Sequence, residues 1–270
     1  MAARSMWKGH IKFSVISIPV KMYNATSERN KVAFHQVHGV CNTRINQKVF
    51  CPTCNKDVPK DELVKGYEWT EGNHIIVSED EIANAKREKT DTIEIVNFVN
   101  PSEIPPVYYS YSHYLNPEKV GVDLFALLRQ ALIDTGKVAV GKIVIRAKEN
   151  LVLIAPHDGV LIAYTLYYQE QLRSVGELPD REAVLSKQVD EASLTLAKQL
   201  IDNLSSPWDG SQYRDDYNEA IMEVIKRKAN PLAQPEAAPA PEKKPAKVVN
   251  ILAALQAAVE ASGKKKAVNE

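Results

Sequence analysis

Residues 137–168, "KVAVGKIVIRAKENLVLIAPHDGVLIAYTLYY", contain three short runs rich in β-branched and other apolar residues. Only "KEN" and "PHDG" separate the runs, so we predict three strands joined by tight turns. Strands this short with connections this tight favour antiparallel pairing, which builds a curved sheet or a barrel. We therefore predict a mixed α/β chain organised mainly as an antiparallel β-barrel.

Three more segments are predicted to be strands. In "IKFSVISIPVKMYNAT", residues 11–26, apolar side chains alternate at Ile11, Phe13 and Val15, as in a strand with one buried face. The segments "DTIEIVNFVN" and "VYYSYSHYL" are rich in β-branched and aromatic residues, which strands favour. Together with the three runs above, these segments supply the strands of the barrel.

Two helices are predicted within the same part of the chain. Ser78 and Glu81 have the spacing of a capping box, so a short helix should begin at about residue 79. A longer helix is predicted before Gly136, which is a suitable residue for its C-terminal stop. The apolar stripe expected to face the core consists of Val120, Leu124, Leu127, Leu128, Ala131 and Leu132.

After Pro179 the apolar spacing becomes helical, and we predict a helical arm over residues 181–230. Residues 231–247 are rich in Pro, Ala and Lys, which predicts a semi-extended linker. Residues 248–270 form a short amphipathic pattern with a basic tail, and a helix of this length is marginal without a partner. The stripe of the first part of the arm is Leu185, Val189, Ala192, Leu196 and Leu200.

The composition suggests a cytoplasmic protein. The chain of 270 residues has no run of about 20 apolar residues, so we expect no membrane span and no membrane partner. The start "MAARSMWKGH" lacks the apolar core of a secretory signal. Three cysteines in a chain without an export signal indicate a reducing compartment, where paired thiols suggest a metal before a disulfide.

The formal net charge is zero, but the charges are unevenly distributed along the chain. Residues 1–60 hold ten basic and two acidic residues, whereas residues 61–120 hold five basic and twelve acidic residues. Such an asymmetry predicts one face that meets a polyanion and another that avoids it. The alternative is that the two sets intermix once the chain has folded.

All three cysteines lie in "HGVCNTRINQKVFCPTC", residues 38–54, with the spacing His-x2-Cys-x9-Cys-x2-Cys. His38, Cys41, Cys51 and Cys54 would supply four ligands to one tetrahedral Zn²⁺, and a full set with no open position indicates a structural site. His35 could replace His38 as the ligand. Reduced structural thiols and a redox-active Cys-x2-Cys pair are the alternatives to zinc.

No phosphate-binding loop, dinucleotide fingerprint, nucleophile elbow or zinc-protease motif occurs in the sequence, so we expect no catalytic residues and no enzymatic activity. Scattered carboxylates could still assemble a metal-dependent nuclease site. A zinc-ribbon adaptor that binds other proteins is a further alternative from a different class.

Six segments, in order along the chain, resemble bacterial Ku, the DNA end-binding family of non-homologous end joining. Ser14 and Asn42 stand where that family often has glycine, and Asn tolerates the left-handed backbone that such a glycine adopts. The segments are "RSMWKGHIKFSVISIPVKMYNAT", "FHQVHGVCNTRINQKVFCPTC", "VKGYEWTEGNHIIVSEDEI", "LFALLRQALIDTGKVAVGKIVIR", "PWDGSQYRDDYNEAIMEVIKRK" and the terminal "VVNILAALQAAVEAS" with its "KKK".

The resemblance implies a nucleoid-associated homodimer of β-barrels that encircles linear double-stranded DNA at its ends and recruits ligase D through the C-terminal region. The barrel core would then span residues 1–180, with a DNA-encircling bridge at about 34–66 that a zinc ion braces. A ring that holds DNA by its backbone needs Lys and Arg aimed at phosphates and no set of base-reading residues. The residues expected to contact DNA are Arg4, Lys8, Arg44, Lys48, Lys56 and Lys65.

Overall fold

The computed structural model describes residues 4–27, 32–85, 91–145 and 148–230, together with 256, 258 and 259. The chain divides into two compact units between Arg173 and Ser174, a few residues before the expected end of the core at 180. The strands of the first unit are β1 (Trp7–Phe13), β2 (Ile16–Asn24), β3 (Phe50–Cys51), β4 (Lys56–Asp57), β5 (Lys65–Thr70), β6 (Asn73–Val77), β7 (Thr92–Val99), β8 (Tyr109–Pro117), β9 (Val138–Ile145), β10 (Lys148–His157) and β11 (Val160–Leu166). Its helices are α1 (Glu79–Ala85) and α2 (Val122–Thr135).

Seven of these strands form a closed barrel in the order β1-β2-β8-β11-β10-β9-β7. Neighbouring strands are antiparallel except at the closure, where β1 pairs with β7 in parallel. Three residue pairs make that closure, and they join His10, Ile11 and Lys12 to Thr92, Ile93 and Glu94. The prediction of a mixed α/β fold with a mainly antiparallel barrel is confirmed.

The prediction of one strand over residues 11–26 is wrong in detail, because the chain reverses its direction within this segment. Ser14 adopts a left-handed backbone with φ 50°, and the turn it makes joins β1 to β2 as a hairpin. Val15 lies on this turn and is 95% exposed, so it does not continue the buried face. Ile11 and Ile18 face each other across the hairpin and are fully buried.

The position of strand β10 explains why apolar and polar residues do not alternate in "LVLIAP". Val152 and Ile154 belong to the main core, whereas Leu153, which points to the opposite face, is buried in a second apolar cluster. A strand that is covered on both faces is apolar at every position. The prediction of a turn at "KEN" is wrong, because residues 148–150 already belong to β10. The connection from β9 falls on residues 146–147, which lie outside the described residues.

Helix α2 packs into the main core through Phe125, Leu128 and Leu132. Its core-facing stripe therefore differs from the predicted one: Leu124 and Leu127 are exposed, and Val120 precedes the helix. The bulky Phe125 ring sets this rotation, since it is buried at the spacing i, i+3, i+7 with the two leucines. The helix ends at Gly136, with φ 64°, as predicted.

Helix α1 begins with the predicted capping box. The Ser78 backbone N–H donates to Glu81 Oε2 over 2.8 Å, and the Glu81 N–H donates to Ser78 Oγ over 3.1 Å. The backbone N–H and the hydroxyl of Ser78, which both donate to the Glu81 carboxylate, also lower the pKa of that carboxyl. The pair satisfies two backbone donors that the first turn of a helix leaves free.

The second unit contains helices α3 (Arg181–Ser186), α4 (Glu191–Leu204) and α5 (Asp216–Ala229). The predicted apolar stripe through Val189 does not lie on one continuous helix, because the chain leaves helical geometry at Lys187. Asp190 then starts α4 by accepting a hydrogen bond from the Ser193 N–H over 2.9 Å. None of the described residues from 174 to 230 is buried.

The predicted linker, residues 231–247, lies outside the described residues, as does most of the terminal segment 248–270. Gln256, Ala258 and Val259 have helical backbone. Within the described ranges, no helix combines the length and the apolar character that crossing a bilayer requires.

The pairing of β7 with β9 requires a glycine at position 141, and this gives a stability prediction. A Cβ on Gly141 would lie 2.4 Å from the carbonyl oxygen of Glu94, so one of the two strands must shift. We expect Gly141→Ala to lower the free energy of unfolding by about 1–3 kcal/mol in urea titrations. Gly39→Ala is the matched control, since its Cβ would meet nothing within 4 Å, and it should change stability by less than about 0.5 kcal/mol. Equal losses in the two variants would contradict this packing.

Candidate nucleic-acid interface

Between β2 and β7 the chain leaves the barrel, and we call residues 25–91 the arch. The arch carries two small sheets, β3–β4 and β5–β6, which pair with no barrel strand. None of the residues from 32 to 84 is buried. The arch extends beyond the expected limits 34–66, because the β5–β6 hairpin also lies outside the barrel. Two-stranded hairpins of this kind are marginal in water without a partner.

The register of the barrel fixes where the arch is attached. Strand β1 lies between β2 and β7, and Trp7 at its start pairs with Met22 near the end of β2. On the other side, Thr92 at the start of β7 pairs with His10. The two ends of the arch therefore emerge on either side of β1.

The thiol-bearing part of the arch consists of two consecutive hairpins. In the first, the His38 N–H donates to the Thr43 carbonyl over 2.9 Å, and Val37 pairs with Arg44. The second is formed by β3 and β4, in which Cys51 pairs with Lys56. Both hairpins turn directly after a cysteine.

The predicted metal ligands come together as two pairs. His38 Nδ1 lies 3.1 Å from Cys41 Sγ, and Cys51 is hydrogen-bonded to Cys54. Hydrogen bonds from Thr43 lower the pKa of Cys41 to about 7. Bonds from Cys54 lower the pKa of Cys51, and the same contact raises that of Cys54.

The four ligands are not gathered into one cluster. All three cysteines are free thiols. Over the described ranges, no three His, Cys, Asp or Glu side chains meet closely enough to hold a metal ion. The structure thus brings the ligands together within each hairpin but leaves the two hairpins apart.

Four of the residues expected to contact DNA are exposed on the arch: Arg44, Lys48, Lys56 and Lys65. Arg44 has no carboxylate partner among the described residues, whereas each lysine has one. Ion pairs this exposed contribute at most about 1 kcal/mol, so a phosphate can replace the carboxylate at little cost. The pairs are Lys48–Asp57 at 2.6 Å, Lys56–Glu62 at 3.4 Å and Lys65–Glu79 at 3.7 Å.

The other two, Arg4 and Lys8, lie at the barrel end of the arch. Arg4 is exposed ahead of β1, and Lys8 is in β1 directly opposite Lys21 of β2. Glu118 Oε1 lies 2.9 Å from Lys8 Nζ and 4.0 Å from Lys21 Nζ. The hydrogen bond from Lys8 is the main cause that lowers the pKa of the Glu118 carboxyl.

The site prediction did not include three further residues of this region that can carry positive charge: His10, Lys12 and Lys21. His10 and Lys12 are exposed with Lys8 on the outer face of β1, and Lys21 is on the neighbouring strand. The signal was present in "WKGHIKF", where polar residues alternate with buried ones at the period of a strand. Lys8, His10 and Lys12 form a basic stripe on β1, the strand that separates the two ends of the arch.

Comparison with known proteins agrees with this architecture. Residues 12–196 match the family model described as the Ku70/Ku80 β-barrel domain. The chain is similar to the non-homologous end joining protein Ku of Archaeoglobus fulgidus, with 37% identity over 83% of this chain and 88% of that protein. The protein of that name from Desulfitobacterium hafniense is 34% identical over 98% of this chain and 90% of its own length.

A third relative, the non-homologous end joining protein Ku of Bacillus subtilis, is 30% identical over 95% of this chain and 81% of its own length. The family model covers the barrel from Lys12 onward, the arch and the start of the second unit, and the relatives extend the similarity along most of the chain. The chain belongs to the Ku family.

Proposed function

We propose that this protein binds the ends of linear double-stranded DNA without sequence specificity, as a ring-shaped homodimer, and recruits ligase D for double-strand break repair by non-homologous end joining. The observation that carries the proposal is the arch, an exposed excursion whose two ends are anchored on either side of one barrel strand and whose segment 36–58 carries three basic residues and one acidic residue. Because the proposed binding partner is chromosomal DNA, we expect the protein to be found at the bacterial nucleoid.

The charges of the arch suit contact with the DNA backbone. Arg44 and Lys56 lie on the two thiol-bearing hairpins, Lys48 lies on the segment that connects them, and the stripe on β1 adds further cations at the barrel end. Exposed lysines neutralise phosphates as point charges and carry no information on base sequence. Binding through such residues should be strong at low salt and indifferent to sequence.

Apolar surface that a single copy leaves uncovered supports the homodimer. The helices of the second unit bury none of their residues, although their stripes are apolar. Helices with an uncovered apolar stripe need a partner surface. A second copy related by a two-fold axis would supply that surface twice, and two arches could then close around a duplex. The most exposed large apolar side chains of this unit include Val184, Leu185, Ile201, Leu204 and Trp208.

The first test compares DNA substrates. A threading ring should retain linear duplex and release covalently closed circles, whereas a protein-binding adaptor should hold neither. A nuclease would instead consume the linear duplex when Mg²⁺ is added. Retention of circles and linear DNA to the same extent would contradict end binding.

The salt dependence of binding tests the assigned cations. Replacing Arg44→Gln and Lys48→Gln together should weaken all duplexes alike, and should make the plot of log K against log salt shallower by about 1 for each phosphate that is no longer neutralised. Lys148→Gln with Arg173→Gln is the control, since both residues are exposed outside the arch and β1. The assignment fails if the two double variants behave alike.

The oligomeric state can be tested on α4. Sedimentation should give a mass of about 60 kDa, twice that of the 30.1 kDa chain. We expect Ile201→Lys to shift the protein toward monomer and to reduce retention of linear DNA, because Ile201 is 64% exposed in one copy and needs cover. The exposed Gln199→Lys on the same helix should leave both properties unchanged. A stable monomer that still retains linear ends would rule out the ring.

Deletion from Pro231 tests the role of the C-terminal region. Residues 231–270 contain six lysines and four acidic residues, so this region adds little net positive charge. We expect the truncated protein to bind ends almost normally and to lose stimulation of ligase D, whose docking would use the apolar stripe of residues 248–261. Loss of end binding on truncation would place the tail in the DNA contact instead.

A further inference from the structure

We propose that one end of the β-barrel is open and forms a pocket that binds a single unpaired nucleobase. The pocket is a cavity of about 650 Å³, a size that holds one small ligand. It is separate from the cations of the arch and of β1, which suit phosphates. The residues that line it and carry the argument are Asn24, Tyr111, His113, Asn150, Thr165 and Gln171.

The two ends of the barrel interior differ. At the end with the β1–β2 turn, helix α2 packs beside Phe13 and Ile16, and its buried side chains belong to the main core. The opposite end is where β2 ends and β10 begins, and there the interior opens into the pocket. A barrel of this strand number has an interior just wide enough for side chains or one small ligand. The helix therefore closes one end, and the other end is accessible to a ligand.

The buried polar side chains are concentrated at the open end. Among the described residues, two polar side chains are buried, His113 of β8 and Thr165 of β11, and both line the pocket. One step further into the barrel, Leu115 is fully buried and apolar. Burying polar groups costs free energy unless they are hydrogen-bonded, so their position at this end indicates a polar occupant.

His113 is the buried polar side chain whose hydrogen bonding is incomplete. Thr165 Oγ1 accepts from the Tyr111 N–H over 3.1 Å, whereas His113 Nδ1 has no partner among the described residues. His113 is 7% exposed, and burial lowers the pKa of its imidazole, so the neutral ring offers one donor and one acceptor. A ligand that hydrogen-bonds to this ring would recover the cost of burying it.

Two amide side chains complete a mixed set of donors and acceptors. Asn150 Nδ2 donates to the Lys148 carbonyl over 2.8 Å, so Asn150 Oδ1 remains as an acceptor toward a ligand. Gln171 Oε1 accepts from the Tyr168 N–H over 2.9 Å, so Gln171 Nε2 remains as a donor. The edge of a nucleobase presents donors and acceptors side by side, and an extruded base is recognised through that edge. This set fits a base better than it fits an apolar molecule or a simple anion.

Tyrosine rings at the pocket provide faces for stacking. Tyr111 and Tyr167 line the pocket and are 71% and 41% exposed. Tyr168 lines it as well, and its hydroxyl donates to Glu149 Oε1 over 3.3 Å, which holds the ring in place. Bases of every kind stack on aromatic side chains, because each base has a flat π-face. The pocket thus combines stacking with hydrogen bonding to one edge.

The location of the pocket indicates the source of the base. Asn24 lines the pocket and is the last residue of β2, directly before the arch. Lys148 also lines it and is exposed, so it supplies a cation for the phosphate of the same nucleotide. The ligand is therefore the unpaired terminal base of a DNA end, and this source rests on the proposed function. A free nucleotide has the same chemistry, and the test separates the two sources.

The test uses the full-length protein and the fluorescent base 2-aminopurine, whose emission falls when it stacks. The first probe is a duplex with short 3′ extensions that end in this base, the second is a blunt duplex of the same length, and the third is the free 2-aminopurine deoxynucleoside monophosphate. We expect quenching with the extended duplex, and binding at least about fivefold tighter than to the blunt duplex.

Two variants remove the contacts of the pocket. Tyr111→Ala and His113→Leu should abolish the quenching and reduce the affinity for the extended duplex to that for the blunt duplex. Binding of the blunt duplex should be unchanged. Tyr114→Ala is the matched control, since Tyr114 lies on the other face of β8, stacked on His157, and should behave as the unsubstituted protein. Thermal melting checks the fold of each variant, and the exposed Tyr111 carries the test if His113→Leu is destabilised.

The outcomes separate this inference from end binding itself. Quenching of the free nucleotide alone, lost in Tyr111→Ala, would support the pocket with a free nucleotide as its ligand. The inference is overturned if neither probe is quenched, or if Tyr111→Ala and Tyr114→Ala have equal effects. Failure to bind the blunt duplex would count against the proposed function alone, because the free nucleotide reports on the pocket without a DNA end.

Discussion

The parallel pairing of β1 with β7 is the constraint on which the rest of the first unit depends. It closes the barrel around the main core, and it brings residue 91, where the arch ends, against β1. The His10 N–H donates to the Asp91 carbonyl over 2.9 Å, and Gly9 allows this approach because a Cβ there would lie 2.3 Å from the same oxygen. The end of the arch at residue 91 is thereby held against β1, and at the other end the Ala25 N–H donates to the Ser112 carbonyl of β8 over 3.1 Å.

Stability is unevenly distributed over the chain as a consequence. The barrel has a core of fully buried side chains, whereas the described arch and the second unit have none. Segments without buried contacts open at low free energy, and they are ordered by what they bind. In the proposed ring, the second copy would order the helices, and DNA would order the arch. Each ligand thus acts on the part of the molecule that the barrel does not stabilise.

The barrel was predictable because its strands are encoded locally, whereas the arrangement of the site depends on register. The runs around Val152 and Leu161 and the capping box at Ser78 needed only short-range patterns. By contrast, no glycine marks the turn at Ser14 in the sequence. The stripe on β1 lies between the two ends of the arch only because β2 and β7 flank that strand. The His-x2-Cys and Cys-x2-Cys pairs were visible as spacing, but the left-handed turns that follow them, at Asn42 and Asn55, could be seen only in the backbone.

The distribution of charge explains how a chain of zero net charge can bind a polyanion. Lys48, Lys56 and Lys65 of the arch are held by carboxylates of the arch itself, such as Asp57 beside Lys48. When a phosphate approaches, it competes with an exposed carboxylate whose ion pair is weak, and the displaced acid returns to water. The net gain for each phosphate is then small, and the same exchange can occur at the next position along the DNA. A ring through which DNA moves benefits from many weak contacts of this kind more than from a few strong ones, because a strong contact would hold the DNA in one register.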